Sequence, residues 1–194
     1  MPRVTDAYRR ARRDEIAHAA VRVLARNGVA STSIAQIVEE SGLSAGAIYA
    51  NFENKAQLAR YVADKMLVWR IDEVEAQLDP DEVHPPLEVL QVLLRTLDEE
   101  APPLAVLLQF WAEATIDPEI HGVLEAKIGA LRAGFERSVH RWAAERDPRD
   151  PDGLAARTAQ AMIAVCQGYL ANAGLFGGMS PEEYLERLSG LLAG

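Results

Sequence analysis

Apolar positions recur along this chain at three- and four-residue spacings, and runs of alternating β-branched residues are absent, so the pattern predicts an all-α protein. Residues 1–8 read as a loose arm. Ile16, Ala19, Ala20, Val23 and Leu24 then make one stripe of a first helix that runs to about Asn27, with Gly28 as its stop. A second, short helix from Ser33 to Glu40 carries Ile34, Ile37 and Val38 on one face, capped by Thr32 or Ser33. Ser41-Gly42-Leu43 is too short for a loop of its own and reads as the turn of a helix-turn-helix. Ser44 caps the next helix, Ala45 to about Phe52, and Leu43 before the cap pairs with Ile48 as a hydrophobic staple. Asn54, with Gln57 as its box partner, caps a fourth helix that starts at Lys55 and keeps its period through Leu58, Tyr61, Val62, Met66 and Trp69 toward Asp79-Pro80.

The rest of the chain is punctuated by proline. Pro85-Pro86 precedes a helix with Leu87, Leu90, Val92, Leu93, Leu94 and Leu97. Pro102-Pro103 opens another, through Phe110 and Trp111 to Ile116, and a long helix follows from about Glu119 to Glu145. The helix from about Gly153 to Phe176 is apolar nearly all round, which predicts burial on more than one side. Met162, Val165, Cys166, Tyr169, Leu170 and Phe176 form its bulky face, and Ala161, Ala164, Gly168 and Ala171 a small one. A last helix begins at Ser180-Pro181, with Ser as cap, Pro in the first helical position and Glu183 closing the box. The pattern predicts about nine helices: a reader over 1–55, a body over 56–194, and the helix of 55–79 linking the two.

The net charge of −9 argues against a nucleic-acid partner until it is divided. Residues 1–60 hold nine Lys/Arg and six Asp/Glu, net +3, whereas residues 61–194 hold eleven and twenty-three, net −12. A basic reader on an acidic body has this asymmetry. A single Cys excludes an internal disulfide and suits a reducing cytoplasm, and no apolar run reaches the length of a membrane span. His18, His84, His121 and His140 are scattered without metal-ligand spacing. No Ser/His/Asp order, phosphate loop or Gly-rich dinucleotide turn is present, so neither an enzyme nor a cofactor is expected.

The front of the third helix, with Ser44, Ala45, Gly46 and Ala47, is small enough for close approach to a major groove. Tyr49 offers a phenol to phosphate, and Lys55 sits on a helix N-terminus, where cation and backbone N–H groups together attract phosphate. Arg9, Arg10, Arg12 and Arg13 either reach phosphates or a minor groove, or are a solvated helix start.

The string Asn27-Gly28, Thr32-Ser33-Ile34, Ile37-Val38, Ser41-Gly42-Leu43-Ser44, Ile48-Tyr49, Phe52 and Lys55 resembles the DNA-binding signature of the tetracycline-repressor (TetR) family, in order and in spacing over roughly Arg9 to Val62. Many members have His at the position of Asn51 and Ala at that of Val38. The resemblance implies that the hydroxyls of Thr32 and Ser33 lie where phosphate is touched, that Ala47 and Asn51 face base edges, and that the body holds an effector and forms a homodimer.

Candidates for the effector site are Met66, Trp69, Phe110, Trp111, Glu113, Met162, Cys166 and Tyr169, aromatic and Met residues with one acid among them, although plain core packing serves each as well. Glu113 is a buried-carboxylate candidate for a cationic ligand. Cys166 suits a small core residue better than a redox sensor. The small face Ala161, Ala164, Gly168 and Ala171, beside the over-apolar last helix with Leu185, Leu188 and Leu192, predicts the dimer interface. The expected function is a cytoplasmic, ligand-responsive repressor of a palindromic operator. The alternatives are a regulator controlled by a protein partner and, from another class, an enzyme built on a helical bundle.

Overall fold

Thr5 begins the first helix. In the computed structural model, which describes residues 5–29, 31–66, 71–79, 81–100 and 104–192, its side chain accepts the Tyr8 N–H and caps α1 (Asp6–Asn27). The arm expected over residues 1–8 is therefore helical from Asp6, because a Thr cap followed by an acid is a sound helix start. Ser33 caps α2 (Ile34–Ser41) in a capping box with Gln36. Gly42 ends it at φ +68, returning its N–H to the Val38 carbonyl. An L side chain is strained in that left-handed conformation, so the tight turn into the next helix requires glycine.

Ser44 caps α3 (Ala45–Tyr49), accepting the Ala47 N–H. α3 stops three residues short of the expected Phe52. The Ile48 carbonyl accepts from both Asn51 and Phe52, which tightens the chain into a turn and lays Phe52 into the core. Asn54 caps α4 (Lys55–Met66) through the Gln57 N–H at 2.8 Å. The reciprocal half of the box is displaced by one residue, since Gln57 Oε1 takes the N–H of Glu53.

The remaining helices are α5 (Ile71–Gln77), α6 (Pro86–Glu100), α7 (Leu104–Ala114), α8 (Pro118–Arg146), α9 (Pro151–Phe176) and α10 (Pro181–Leu192). The described residues thus hold ten helices where nine were expected. The helix predicted over 55–79 is described as α4 and α5, and residues 67–70 between them lie outside the described residues. α9 starts earlier than Gly153 because Asp150 caps it, with Pro151 in the first helical position. No described helix is long and apolar enough to cross a membrane.

Two compact units emerge, Met1–Leu67 with Ala105–Leu124, and Val68–Leu104 with Glu125–Gly194. This division differs from a boundary at 55 by placing most of α7 and the start of α8 with the reader helices. In the first unit, α1 packs on α2 and α4, and Ile16, Ala20, Val23, Ile37, Ile48, Phe52, Leu58 and Val62 are buried. In the second, α6 lies against α5, α9 and α10, with Val89, Leu93, Phe135, Val139, Ala159 and Leu170 buried.

His84, just before α6, is buried, and both of its ring nitrogens face acceptors. Nε2 lies 2.8 Å from the Asp79 carbonyl oxygen and Nδ1 lies 3.0 Å from a Glu88 carboxylate oxygen. Two acceptors demand two donors, so the site favours the imidazolium. The Asp79 carbonyl first, and then Glu88, raise its pKa above the ordinary 6.5. A raised folded-state pKa gives stability that is fully present below the unfolded value and lost as pH climbs through the folded one. His84→Gln should therefore cost about 1–2 kcal/mol near pH 5.5 and clearly less near pH 9. Denaturant titrations of both proteins at the two pH values check this; an equal loss at both would show that the charged form is not the one favoured.

Candidate nucleic-acid interface

The turn and α3 present a continuous exposed strip. Ser44, Ala45, Gly46 and Tyr49 are exposed, Ala47 and Asn51 half-buried, and Ile48 fully buried beneath them. Tyr49 leaves 54% of its surface to solvent although it is an aromatic beside the core. Ser33 and Lys55 are exposed next to this strip in sequence, at the starts of α2 and α4. Asn51 is occupied, its amide donating to the Ala47 carbonyl at 2.9 Å.

Thr32 is placed differently from the others. It is buried, and its hydroxyl donates to the Gly28 carbonyl at 2.7 Å, so it belongs to the inside of the α1–α2 turn. Of the four arginines at the start of α1, Arg9 and Arg10 are exposed. Arg12 pairs with Glu15 and the Tyr8 hydroxyl. The Arg13 guanidinium lies 4.7 Å from the Phe52 ring centroid and 4.4 Å from that of Tyr61. Arg13 is a packing residue, and its buried Nε has no hydrogen-bond partner among the described residues. Arg22 and Arg26 both pair with Glu40, which holds that carboxyl below the usual range.

Two groups essential to this geometry were not foreseen. Asp14 accepts from the Tyr61 hydroxyl at 2.7 Å and lies 3.0 Å from Lys65 Nζ, tying α1 to α4; the Tyr61 bond, then Lys65, lowers its pKa. The second is Gln109 of α7, whose Oε1 accepts the Val29 N–H at 2.8 Å across 80 residues of sequence. The Val29 carbonyl meanwhile accepts from Lys55 Nζ at 3.3 Å. The turn ahead of Ser33 is thus held from both sides. A lone amide within Leu104-Ala105-Val106-Leu107-Leu108-Gln109-Phe110-Trp111 was the available signal, because a polar group in an apolar face needs a partner.

The family model described as "Bacterial regulatory proteins, tetR family" matches residues 16–62, the span of the core stripe of α1 through most of α4. This segment matches the TetR family. That family is one of transcription regulators. The HTH-type transcriptional regulator TtgR of Pseudomonas putida is 36% identical over 87 residues, 45% of this chain and 41% of that one. The match therefore spans about two-fifths of that relative's length. The HTH-type nicotine-responsive transcriptional repressor HdnoR of Paenarthrobacter nicotinovorans is 27% identical over 172 residues, 81% of this chain and 80% of that one. A transcriptional regulator from Pseudomonas aeruginosa PAO1 has the same fold, with a TM-score of 0.72 at 21% identity over 100% of this chain and 96% of that chain.

Against this TetR-family frame, the expected effector residues divide between the units. Phe110, buried, and Trp111 and Glu113, half-buried, stand on α7 in the first unit; the Trp111 Nε1–H is buried with no partner among the described residues. Met66 ends α4, and Trp69 lies outside the described residues. Met162, Cys166 and Tyr169 are buried on α9 in the second unit, and burial pushes the Cys166 thiol pKa up, which suits a core residue. Met162 lines a cavity of about 560 Å³.

Of the dimer candidates, Ala161 and Ala164 are exposed, Ala171 and Leu188 half-buried, and Leu185 lies in the core of its own chain. The side chain of Leu192 is outside the described residues. Gly168 has a use within the chain: a Cβ there would meet the Tyr184 hydroxyl at 2.5 Å. That hydroxyl donates to the Val165 carbonyl, and the Tyr184 ring sits edge-on to Tyr169.

Gln109→Leu should leave the Val29 N–H without its acceptor, at a cost of about 1 kcal/mol. Amide exchange at Val29 should quicken in that variant and stay slow in Gln109→Glu, which keeps an acceptor. Unchanged exchange in Gln109→Leu would mean that the turn holds itself.

Proposed function

We propose that this protein is a cytoplasmic transcriptional repressor that binds a palindromic operator as a homodimer and is released by a small-molecule effector. The observation that carries the DNA-binding reading is the arrangement around α3. Small and hydroxyl residues are exposed at its front, Tyr49 and Lys55 are exposed beside it, and the apolar side is fully packed. The HdnoR likeness over most of the chain supports control by a small molecule, although it does not name the compound for this chain.

In this reading Ala47 and Asn51 meet base edges, while Ser33, Ser44, Tyr49 and Lys55 meet phosphate and fix the register. Ala45 and Gly46 let the backbone come close. Two readers related by a two-fold axis bind half-sites one helical turn, ~34 Å, apart. The homodimer forms through the small face of α9, where the exposed Ala161 and Ala164 and the half-buried Ala171 lie on the same side as the exposed Leu175.

Lys55→Ala should weaken binding to all sequences alike and flatten the slope of log K against log salt by about 0.9 for each phosphate no longer neutralised. Titrations of operator and unrelated duplex at several salt concentrations measure it; an unaltered slope would show that Lys55 does not touch phosphate. Substitution of Ala47 or Asn51 should instead change which operator sequence is preferred.

Ala164→Glu should bury an unpaired charge in the dimer and leave a monomer with poor operator affinity, at a cost of several kcal/mol, on the order of 3–5. Sedimentation reads the outcome directly, and a variant that remains dimeric would move the interface off this face. Gly168 is unsuitable for that test, because any side chain there displaces Tyr184 within its own chain.

A further inference from the structure

We infer that the cavity between the start of α6, the end of α8 and the first half of α9 is a binding site for an amphipathic carboxylate, an apolar body carrying a single negative charge. The inference deepens the proposed effector response and rests on it for its regulatory meaning, but the site itself is defined by geometry within the second unit.

The cavity has a volume of about 560 Å³, which falls in the range of small-molecule sites. Leu87, Leu90, Trp142 and Met162 supply its apolar wall, and Thr158 contributes a hydroxyl. Its charged lining residues are Arg146 and Arg157, and no Asp or Glu lines it. That selection is unusual on this chain, whose residues 61–194 carry a net charge of −12.

The two arginines differ. Arg157 Nη1 lies 3.2 Å from Asp150 Oδ2, so its charge is partly answered. Arg146 has no carboxylate partner among the described residues, and its guanidinium lies 5.8 Å from the Trp142 ring centroid. An aromatic face lends a guanidinium some attraction and leaves its N–H fork unused. A carboxylate matches that fork with two parallel hydrogen bonds. A cation placed here would face two guanidinium groups and no carboxylate.

Trp142 and Leu87 are half-buried, so apolar surface remains for the body of the ligand to cover. Each methylene removed from water tightens binding, which makes chain length as well as charge a determinant of affinity.

The test uses the full-length protein and a fluorescent apolar anion, 1-anilinonaphthalene-8-sulfonate, displaced by decanoate or by decyltrimethylammonium. Decanoate should displace the dye, and the cation of matched chain length should not. Arg146→Glu, at an exposed position, should weaken decanoate by about tenfold, equivalent to about 1.4 kcal/mol. Leu87→Trp should block binding by filling the mouth, with circular dichroism confirming that both variants are folded. Equal displacement by the two amphiphiles, or decanoate binding unchanged in both variants, overturns the site. Operator binding is measured separately on the same samples. If decanoate binds as described yet the operator is retained, the site stands and the effector reading fails. If other compounds release the operator and decanoate never binds, the effector reading stands and this site is wrong.

Discussion

A helix of five residues cannot hold itself together in water, because forming its first turn costs more than so few hydrogen bonds return. α3 is such a helix, and the presentation of the reader depends on what lies beneath it. Ile48 and Phe52 are buried, and Arg13 of α1 lies against the rings of Phe52 and Tyr61, which are themselves edge-on at 5.4 Å. Contacts of a cation with an aromatic face contribute about 0.5–2 kcal/mol each, comparable to one buried methylene or two. Asp14, one residue further along α1, then fixes the Tyr61 hydroxyl and Lys65. A single turn of α1 thus joins α1, α4 and the residues just past α3. The exposed side chains of α3 are free to meet another surface because none of them is needed for packing.

The same logic extends to the turn ahead of α2. The exposed Ser33 closes the capping box with Gln36, and the buried Thr32 hydroxyl bonds the Gly28 carbonyl, so the position of the α2 N-terminus is set by the backbone of residues 28 and 29. That backbone is held by Gln109 from α7 and by Lys55 from α4. Arg60 of α4 is paired in turn with Glu119 at the start of α8. These bonds explain in physical terms why residues 105–124 belong with the reader helices in one compact unit. A reader bounded at residue 55 lacks Gln109, one of the two groups that hold that backbone.

What could be read from the sequence was what depends on near neighbours. The caps at Ser33, Ser44 and Asn54, the left-handed Gly42 and the buried Ile48 each follow from residues within four positions, and each is found in place. The features that escaped are those whose partners are distant. Arg13 looks like any basic residue at a helix start until Phe52 and Tyr61 fold over it. Gln109 meets Val29 only after 80 residues of chain have been placed. Gly168 read as part of a flat face, yet its missing side chain makes room for Tyr184. The cavity beside Trp142 draws its walls from three helices, and nothing in the local pattern of any one of them distinguishes a cavity wall from a core.

The size of these interactions bears on how a ligand could change DNA affinity. A ligand shifts an equilibrium only by the difference in its affinity for the two states, and couplings between sites amount to about 1–3 kcal/mol. The Val29 bond to Gln109 is worth about 1 kcal/mol, and leaving a buried partner unsatisfied costs about 1–3. Exchange of one or two such bonds is therefore enough for a change of about 5–150-fold, with no need to unfold a helix or open a core. Larger groups such as Ile48 or Phe52 are poor switches, since giving up a buried side chain of that size costs about 2–5 kcal/mol and destabilises the reader itself. The turn at Val29 meets the opposite requirement: its bonds are few, are made by side chains from two other helices, and are weak enough to be exchanged while the reader stays folded.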